Sequence, residues 1–275
     1  MEEIDLDAYF ARLGYGGPAT PTLATLSRLH ALHAAAIPFE NLSPFLGEPV
    51  GLDIASLQDK LVARGRGGWC FEHNLLFAHV LERVGFEVTR LGARVRWNVP
   101  AEVVTSRSHC LLRVGVEGRD YIADVGFGGL TLTAPLRLEA GIEQATPHER
   151  HRLVASNGGY ALEAQVSGEW QALYTFDMQP QEMADYEVSN WYLCHHPKSI
   201  FVNGIIAARA SATERHALRD GRYAVHRPDG TTERRILERA AQMREVLAGA
   251  MGIALPDSPD LDAKLAALLD KKAQA

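Results

Sequence analysis

A glycine-rich turn that leads one cysteine into a helix constrains the fold of this chain more than any other feature. The segment reads Arg-Gly-Arg-Gly-Gly-Trp-Cys-Phe-Glu-His-Asn over residues 64–74, and helical spacing continues over 71–84. Gly85 is expected to close this helix. The N–H groups and dipole at a helix start stabilise negative charge, and glycines let another molecule come close to the backbone. The pattern therefore predicts a reactive thiolate at Cys70.

The spacing of apolar residues changes from helical to strand-like near Phe86, so a helical first third precedes a β-rich middle. The predicted helices of the first third are a leucine-rich run from Leu23 to the residue before Ile37-Pro38, then 54–62 and 71–84. The predicted strands are 88–97, 109–116, 121–125, 160–165 and 171–176, a spacing typical of a small barrel or sandwich. Beyond residue 201 the spacing predicts a hairpin of 222–226 with 232–236, followed by helices over 238–250 and 261–271.

One histidine and one aspartate lie in adjacent predicted strands. If the chain turns at residues 117–118, Leu111 lies opposite Asp124, and His109 becomes a diagonal neighbour of Asp124 on the same sheet face. Cys110 then points to the other face as a small packing residue. Because an acid can orient a histidine that in turn activates a thiol, these strands predict a Cys-His-Asp nucleophilic site.

Other interpretations of the same residues stay open. His73 follows the cysteine by three positions and is the best rival base. A buried cysteine is usually a packing residue, so a non-catalytic binding module is an alternative from a different class. The histidine pairs 148 with 151 and 195 with 196 lack the paired spacing of a structural zinc module, so no metal is expected.

Composition narrows the class of protein. The chain has 275 residues, a formal net charge of −6 and no basic run, which argues against binding along a nucleic-acid backbone. No apolar run approaches the roughly 20 residues that a membrane helix needs, and the acidic start does not resemble a signal peptide. Three cysteines cannot all pair within the chain, which favours a reducing compartment. We therefore expect a cytoplasmic enzyme without nucleic-acid or membrane partners.

Five segments resemble signature blocks of the arylamine N-acetyltransferases, and they keep that family's order and spacing over about residues 1–205. The glycine turn with the cysteine contributes Arg-Gly-Gly-Trp-Cys-Phe-Glu-His-Asn at 66–74. Ser-His-Cys-Leu-Leu at 108–112 and Asp-Val-Gly-Phe-Gly at 124–128 carry the histidine and the acid. Ile-Pro-Phe-Glu-Asn-Leu at 37–42 and His-Pro-Lys-Ser-Ile-Phe at 196–201 complete the resemblance.

The resemblance implies an α+β fold of three domains: a helical bundle over 1–85, an antiparallel β-barrel over 86–200 and an α/β lid over 201–275. The bundle and barrel would form a core like that of the cysteine proteases and transglutaminases. By the same matching, Cys70, His109 and Asp124 are the catalytic triad. Arg64 and Glu40 resemble a structural pair of the family.

The resemblance also implies a pocket for the acceptor, and the glycines after Asp124 have an interpretation of their own. Phe39, Phe127 and Phe201 match aromatic positions beside the family's acceptor pocket. Gly126, Gly128 and Gly129 are interpreted as glycines that let the substrate or coenzyme approach the chain closely.

The function that the resemblance implies is transfer of an acetyl group from acetyl-coenzyme A to an arylamine, an arylhydrazine or an N-hydroxyarylamine. The route would be ping-pong, through an acetyl-cysteine. A thiol hydrolase, or an amide synthase that uses a carrier-bound acyl group, remains the alternative because the same triad would serve either. The sequence leaves the physiological acceptor, the preferred acyl length and the oligomeric state open.

Overall fold

Helices come first in the chain, as the apolar spacing predicts. The computed structural model describes residues 3–100 and 102–273. Its first third contains α1 (Leu6–Leu13), α2 (Leu23–Ala36), a short strand β1 (Phe39–Glu40), α3 (Leu42–Leu46), α4 (Ile54–Leu57) and α5 (Cys70–Val84). A π-helical turn over Gln58–Ala63 continues α4. Gly85 has φ +105°, in the left-handed region, and its N–H closes α5 as predicted.

The β-rich middle of the chain is one antiparallel sheet that curls into a nearly closed barrel. Its strands are β2 (Glu87–Val95), β3 (Arg107–Val116), β4 (Arg119–Ala123), β5 (Leu136–Arg137), β6 (Glu143–Ala145), β7 (Arg150–Ser156), β8 (Gly159–Val166) and β9 (Glu169–Pro180). They are hydrogen-bonded in the order β5-β4-β3-β2-β9-β8-β7-β6. The Gln144 side chain bridges the two edge strands, since its amide accepts from Arg137 N at 2.7 Å and donates to Arg137 O at 2.9 Å.

The hairpin that the strand pairing predicts is present in the predicted register. Val116 lies opposite Arg119, and the paired ladder runs back to Leu112 opposite Ala123. Glu117 and Gly118 both have positive φ, as a two-residue type I′ turn requires. The ladder stops where the chain leaves β4, so the residues that follow Ala123 form a loop at the end of the strand.

The last third adds a second sheet and several helices. These elements are α6 (Met183–His195), α7 (Ile200–Asn203), β10 (Ile206–Ala210), β11 (Arg215–Arg219), β12 (Arg222–His226), β13 (Thr232–Ile236), α8 (Ala240–Glu245) and α9 (Leu261–Ala273). The β12–β13 hairpin has the bounds that the sequence predicts, and a π-helical turn over Val246–Ala250 extends α8. In the part of the chain that the structure describes, no helix is long and apolar enough to cross a membrane.

The elements pack around three apolar clusters that cross the predicted domain boundaries. The first lies among α1, α2 and α5, and it takes Leu112 and Val114 from one face of β3 and Tyr186 from α6. The second is the barrel interior, which receives Leu111 from the other face of β3. The third holds the C-terminal sheet against α8 and α9 and includes Leu42 of α3. The divisions at residues 85 and 200 therefore stay predictions.

A buried ion pair fixes the glycine turn, and it differs from the pair that the resemblance implies. Glu40 Oε1 accepts from Arg66 at 2.8 Å, and both side chains are at most 3% exposed. Arg64 instead lies at the surface, 3.5 Å from Asp59. The prediction of an Arg64–Glu40 pair was wrong by two residues, because Gly65 turns the chain with φ +63° and sends the next arginine inward.

We expect the Glu40→Gln variant to lower the free energy of unfolding by about 3–5 kcal/mol, because it leaves the buried Arg66 guanidinium without its counter-charge. Asp59→Ala is the matched control: it breaks an ion pair whose partners are 57% and 61% exposed, and it should change stability by no more than about 0.5 kcal/mol. Urea unfolding measures both. Equal losses in the two variants would contradict a structural role for the buried pair.

Candidate active site

Cys70 is the first residue of α5, where the chain emerges from the glycine turn. The sulfur is buried, with the residue 5% exposed, and Sγ lies 3.7 Å from Ser108 O. The backbone N–H of Trp69, which precedes the cysteine, donates to the Glu72 carboxylate at 3.1 Å. The backbone N–H of Cys70 is in the first helical turn, where an α-helix offers no internal acceptor.

The glycines of the turn are needed for contact with the chain's own backbone. A Cβ on Gly67 would lie 2.0 Å from Pro38 O. Gly68 O accepts from Glu40 N at 2.8 Å, which holds the turn against β1. The sequence predicts that another group comes close to the backbone of the glycine turn. In the structure, residues 38–40 of the same chain do so in part, and their contact with the turn fixes the position of Cys70.

His109 and Asp124 meet as the strand pairing predicts. Nε2 of His109 lies 2.7 Å from Oδ2 of Asp124, and the two residues are 3% and 0% exposed. Because Asp124 occupies Nε2, Nδ1 is the ring nitrogen left to serve the sulfur. The His109 side chain makes both a hydrogen bond and a charge interaction with Cys70. The structure therefore brings the three predicted residues together.

The pKa shifts of the three groups favour a thiolate–imidazolium pair at neutral pH. Burial alone would raise the pKa of Cys70, but hydrogen bonds from Cys110 and His109 outweigh it and lower that pKa to about 6. Burial alone would lower the pKa of His109, but the charge of Asp124 outweighs it and raises that pKa to about 10. The charge of His109 in turn overcomes burial and lowers the pKa of Asp124 below its usual range.

Asn74 holds the acid in place, and sequence reasoning missed it. Its Nδ2 donates to Asp124 Oδ1 at 2.9 Å and to Cys110 O at 2.8 Å, while its Oδ1 accepts from Val125 N at 3.0 Å. Residues four apart share a helix face, so the position of Asn74 one turn after Cys70 was the available signal. His30 of α2 was also missed: its Nε2 accepts from Asp124 N at 3.2 Å.

The rival base His73 is committed to a different network. Its Nε2 must donate to the carbonyl Pro38 O, 3.1 Å away, so its Nδ1 accepts from His33 Nε2 at 2.9 Å. His33 Nδ1 then accepts from the Tyr9 hydroxyl at 2.7 Å. Burial lowers the pKa of His73 to about 4, so the ring is neutral near pH 7. Neither of its nitrogens is left for the sulfur.

Of the three predicted phenylalanines, Phe127 contacts His109, and Phe201 contacts Trp69, the residue before Cys70. Phe127 places its ring edge-on to His109, with centroids 5.1 Å apart. Phe201 packs against Phe39 and Trp69 at 6.3 and 5.0 Å. The Asn41 side chain donates to Phe201 O at 2.7 Å, and so it joins the segment at 37–42 to the segment at 196–201.

The three predicted glycines form the loop between these phenylalanines. A Cβ on Gly126 would lie 2.9 Å from both Cys70 Cα and His73 Cβ, so the loop packs directly on α5. Gly128 has φ +85° and lies against the Phe39 ring, and Gly129 faces Ala217 of β11. The contact of Gly128 and Gly129 with a coenzyme stays a prediction.

The described residues, 3–100 and 102–273, contain no group of three or more His, Cys, Asp and Glu side chains arranged to hold a metal ion. The pKa shifts of the site favour a buried anionic sulfur beside a protonated imidazole and an oriented carboxylate. In this arrangement a thiolate can attack an acyl carbon, and the imidazole beside it can transfer one proton. Fold and site together are typical of α+β enzymes with a buried cysteine, histidine and aspartate in contact.

Comparison with known proteins identifies the family. The N-acetyltransferase family model matches residues 22–259. An arylamine N-acetyltransferase of Mycolicibacterium smegmatis is 45% identical over 273 residues, 97% of this chain and 99% of that protein. An arylamine N-acetyltransferase / N-hydroxyarylamine O-acetyltransferase of Salmonella typhimurium is 43% identical over 204 residues, 74% of this chain and 72% of that protein.

A solved structure agrees with these relatives. The Mycobacterium marinum arylamine N-acetyltransferase in complex with CoA superposes with a TM-score of 0.91 at 42% identity, covering 97% of this chain and 99% of that one. The chain belongs to the arylamine N-acetyltransferase family, and the α+β fold with a barrel is confirmed.

We expect the alkylation rate of Cys70 by iodoacetamide to rise with pH through a pKa of about 6 and to level off above neutrality. In His109→Gln the pKa should return to at least that of a free thiol, about 8.5, which cuts the rate at pH 7 about 30-fold.

His73→Gln is the control for this measurement, because the amide can keep the bond to Pro38 O while removing the imidazole. Its rate should stay within about threefold of the parent, since a neutral ring without a free nitrogen lends no charge to the sulfur. Loss of reactivity in His73→Gln with retention in His109→Gln would reverse the assignment of the base.

Proposed function

We propose that this enzyme transfers an acetyl group from acetyl-coenzyme A to an arylamine, an arylhydrazine or an N-hydroxyarylamine through an acetyl-Cys70 intermediate. The observation that carries the proposal is the buried Cys70–His109–Asp124 set, in which the thiol has a pKa of about 6 and the imidazole a pKa of about 10. The names of the relatives support the acceptor class, and the CoA complex of the Mycobacterium marinum relative supports the donor.

The first half-reaction uses the ion pair as it stands. The Cys70 thiolate attacks the thioester carbon, and the backbone N–H of Cys70 is a candidate donor to the oxyanion that forms. When the tetrahedral intermediate collapses, the bond to the coenzyme sulfur breaks, and the His109 imidazolium protonates the departing thiolate. The products are acetyl-Cys70, neutral His109 and free coenzyme A.

The second half-reaction restores the starting state. The nitrogen of the acceptor, or the oxygen of an N-hydroxyarylamine, attacks the acetyl carbon, and neutral His109 takes the proton that the attacking atom loses. The Cys70 thiolate leaves as the bond to its sulfur breaks. Asp124 keeps Nε2 of His109 protonated throughout, so that Nδ1 is the atom that gives and receives the proton in both halves.

The surroundings of the sulfur support an aromatic acceptor. Phe127 offers a ring beside His109, and Phe39 and Phe201 offer a pair of rings next to Trp69, the residue before the nucleophile. We assign these three side chains to the acceptor and the Gly128–Gly129 segment to the coenzyme. The three buried free thiols support a cytoplasmic location.

A thiol hydrolase, or an amide synthase that uses a carrier-bound acyl group, would employ the same triad. One measurement separates the proposed transferase from a hydrolase: in a transferase, the consumption of acetyl-coenzyme A should accelerate when an aniline is added. An unchanged rate of coenzyme A release, with acetate as the product, would favour the hydrolase.

Ping-pong transfer predicts parallel double-reciprocal lines when donor and acceptor are both varied.

Cys70→Ser should abolish turnover without unfolding the protein. Asp124→Asn should lower kcat about 10⁴-fold, by analogy with the serine protease triad, because it loses the charge that steadies the imidazolium. Intersecting lines, or turnover retained by Cys70→Ser, would contradict the acetyl-cysteine route.

Phe127→Leu should separate the two half-reactions. We expect kcat/KM for an arylamine to fall about tenfold, the value of one lost aromatic contact. The burst of coenzyme A from the first half-reaction should change less than about twofold. Phe176→Leu, which removes a barrel ring stacked on Tyr160, is the control and should lower stability alone. An equal loss in both half-reactions would remove Phe127 from the acceptor site.

A further inference from the structure

An arginine of the C-terminal sheet is buried against the loop that follows the acid, and the mechanism above does not use it. Arg215 is the first residue of β11 and is 2% exposed. Its Nη2 donates to Thr131 O at 2.8 Å and to Glu149 Oε2 at 2.6 Å. Its Nη1 lies 3.5 Å from Gly129 O. One guanidinium therefore joins β11 to the loop after β4 and to the turn before β7.

The side chain of Thr131 closes that loop on itself. Its Oγ1 accepts from Phe127 N at 3.2 Å and donates to Asp124 O at 3.2 Å. The backbone N–H of Thr131 donates to Gly128 O at 3.1 Å, and the residue is 5% exposed. The loop is thus braced from inside by one threonine, and the carbonyl of that threonine is the atom that Arg215 holds.

The carboxylate of Glu149 keeps the guanidinium in this position. Glu149 belongs to the turn between β6 and β7, where Thr146 Oγ1 donates to Glu149 O at 2.8 Å. Thr146 Oγ1 also accepts from Thr133 Oγ1 at 3.3 Å, which ties the turn to the chain just beyond the loop. A buried charge needs a paired counter-charge, and the planar fork of an arginine can serve a carboxylate and carbonyl oxygens at the same time.

The loop that Arg215 holds carries an aromatic ring that contacts the triad histidine. Phe127 lies edge-on to His109 at 5.1 Å, and its ring centroid is 5.2 Å from that of Tyr174. Both of these partners belong to strands of the barrel. The backbone of Phe127, in contrast, is fixed through Thr131 to a residue of the C-terminal sheet. The position of this ring beside His109 therefore depends on a contact between the two sheets.

We propose that Arg215 is a positioning residue that holds the loop after β4 from the C-terminal sheet and so keeps Phe127 beside His109 for the acceptor. The effect on acetyl transfer rests on the function proposed above. The hold on the loop does not, because its hydrogen bonds exist in the free enzyme.

Three variants separate this role from general support of the sheet. Arg215→Lys keeps a positive charge for Glu149 but loses the planar fork, so one ammonium cannot reproduce the bonds to the carboxylate and the carbonyls. Arg209→Lys is the matched control, because Arg209 lies on the neighbouring strand β10 and also donates to a carbonyl outside the sheet, Ala35 O of α2, at 2.7 Å. The double variant Arg215→Met with Glu149→Met removes both charges of the buried pair together. Urea unfolding checks that each variant is folded.

The first readout is amide hydrogen exchange of the free enzyme in a peptic fragment that spans residues 125–131. The N–H groups of Phe127 and Thr131 are bonded within this loop, so release of Thr131 O should accelerate their exchange. We expect an increase of about tenfold in Arg215→Lys and in the double variant, the value of one hydrogen bond from a charged donor. The increase in Arg209→Lys should be less than about twofold, because this variant leaves the loop contacts in place.

The second readout is kcat/KM for an arylamine, which in ping-pong transfer describes the step from the acetyl-enzyme and does not depend on the donor. Arg215→Lys should lower it about tenfold, and the loss should lie in KM, with kcat changed less than about twofold. In the Phe127→Leu background the same substitution should lower it less than about threefold further, because the ring that the loop positions is already gone. Arg209→Lys should change it less than about twofold in either background.

Loop exchange at the parental rate in a folded Arg215→Lys variant would overturn the proposal. So would a loss of kcat/KM that is equally large with and without Phe127, a loss confined to kcat, or equal effects of Arg215→Lys and Arg209→Lys. If the lysine variant does not fold, the double variant decides by the same criteria. Accelerated loop exchange in an enzyme that transfers no acetyl group would refute the proposed function and leave the hold on the loop standing. Acetyl transfer with parental loop exchange would refute the hold on the loop alone.

Discussion

Asp124 is a carboxylate without solvent contact, and its hydrogen bonds connect the parts of the structure that make the site. Oδ2 receives the imidazole of β3, Oδ1 receives Asn74 of α5, and the backbone N–H of Asp124 itself donates to His30 of α2. An isolated buried charge costs several kcal/mol unless partners compensate it. The same partners that stabilise this charge also fix the histidine relative to the cysteine, so the stability of the core and the geometry of the nucleophile share one constraint.

That constraint depends on how closely the loop after β4 can approach α5. Gly126 N donates to Asp124 Oδ1 at 3.0 Å, and the absence of a side chain on Gly126 lets this loop rest on the first turn of the helix. On the other side of that turn, Gly67 lies against Pro38. The cysteine is thus held between two contacts that only glycine permits. This explains why glycines flank both the nucleophile and the acid in the sequence.

The sequence predicted the parts of this arrangement that follow local rules. A two-residue turn fixes the parity of a hairpin, and that parity predicted the approach of His109 and Asp124, although Asp124 lies in the loop just after β4. Local rules fail where two paired strands are far apart in sequence, or where the apolar residues of a helix do not line one face. β1 is two residues long and pairs with β10 across most of the chain. In α6, which the sequence analysis missed, Val188 and Trp191 are exposed while Asn190 is buried, so its apolar residues mark no single face.

The same limit applies to Phe39 and Phe201. They are far apart in sequence, and matching to the family suggested that they belong together. The structure supplies a physical reason. The Asn41 amide donates to Phe201 O and Gly204 O and accepts from Ile206 N, so one buried side chain fixes the chain segment that enters β10. Because β1 also pairs with β10, the C-terminal sheet is anchored to the strand that supports the glycine turn. Because Phe39 lies on β1 and the segment of Phe201 is held by Asn41, a shift of that sheet would displace both phenylalanines together.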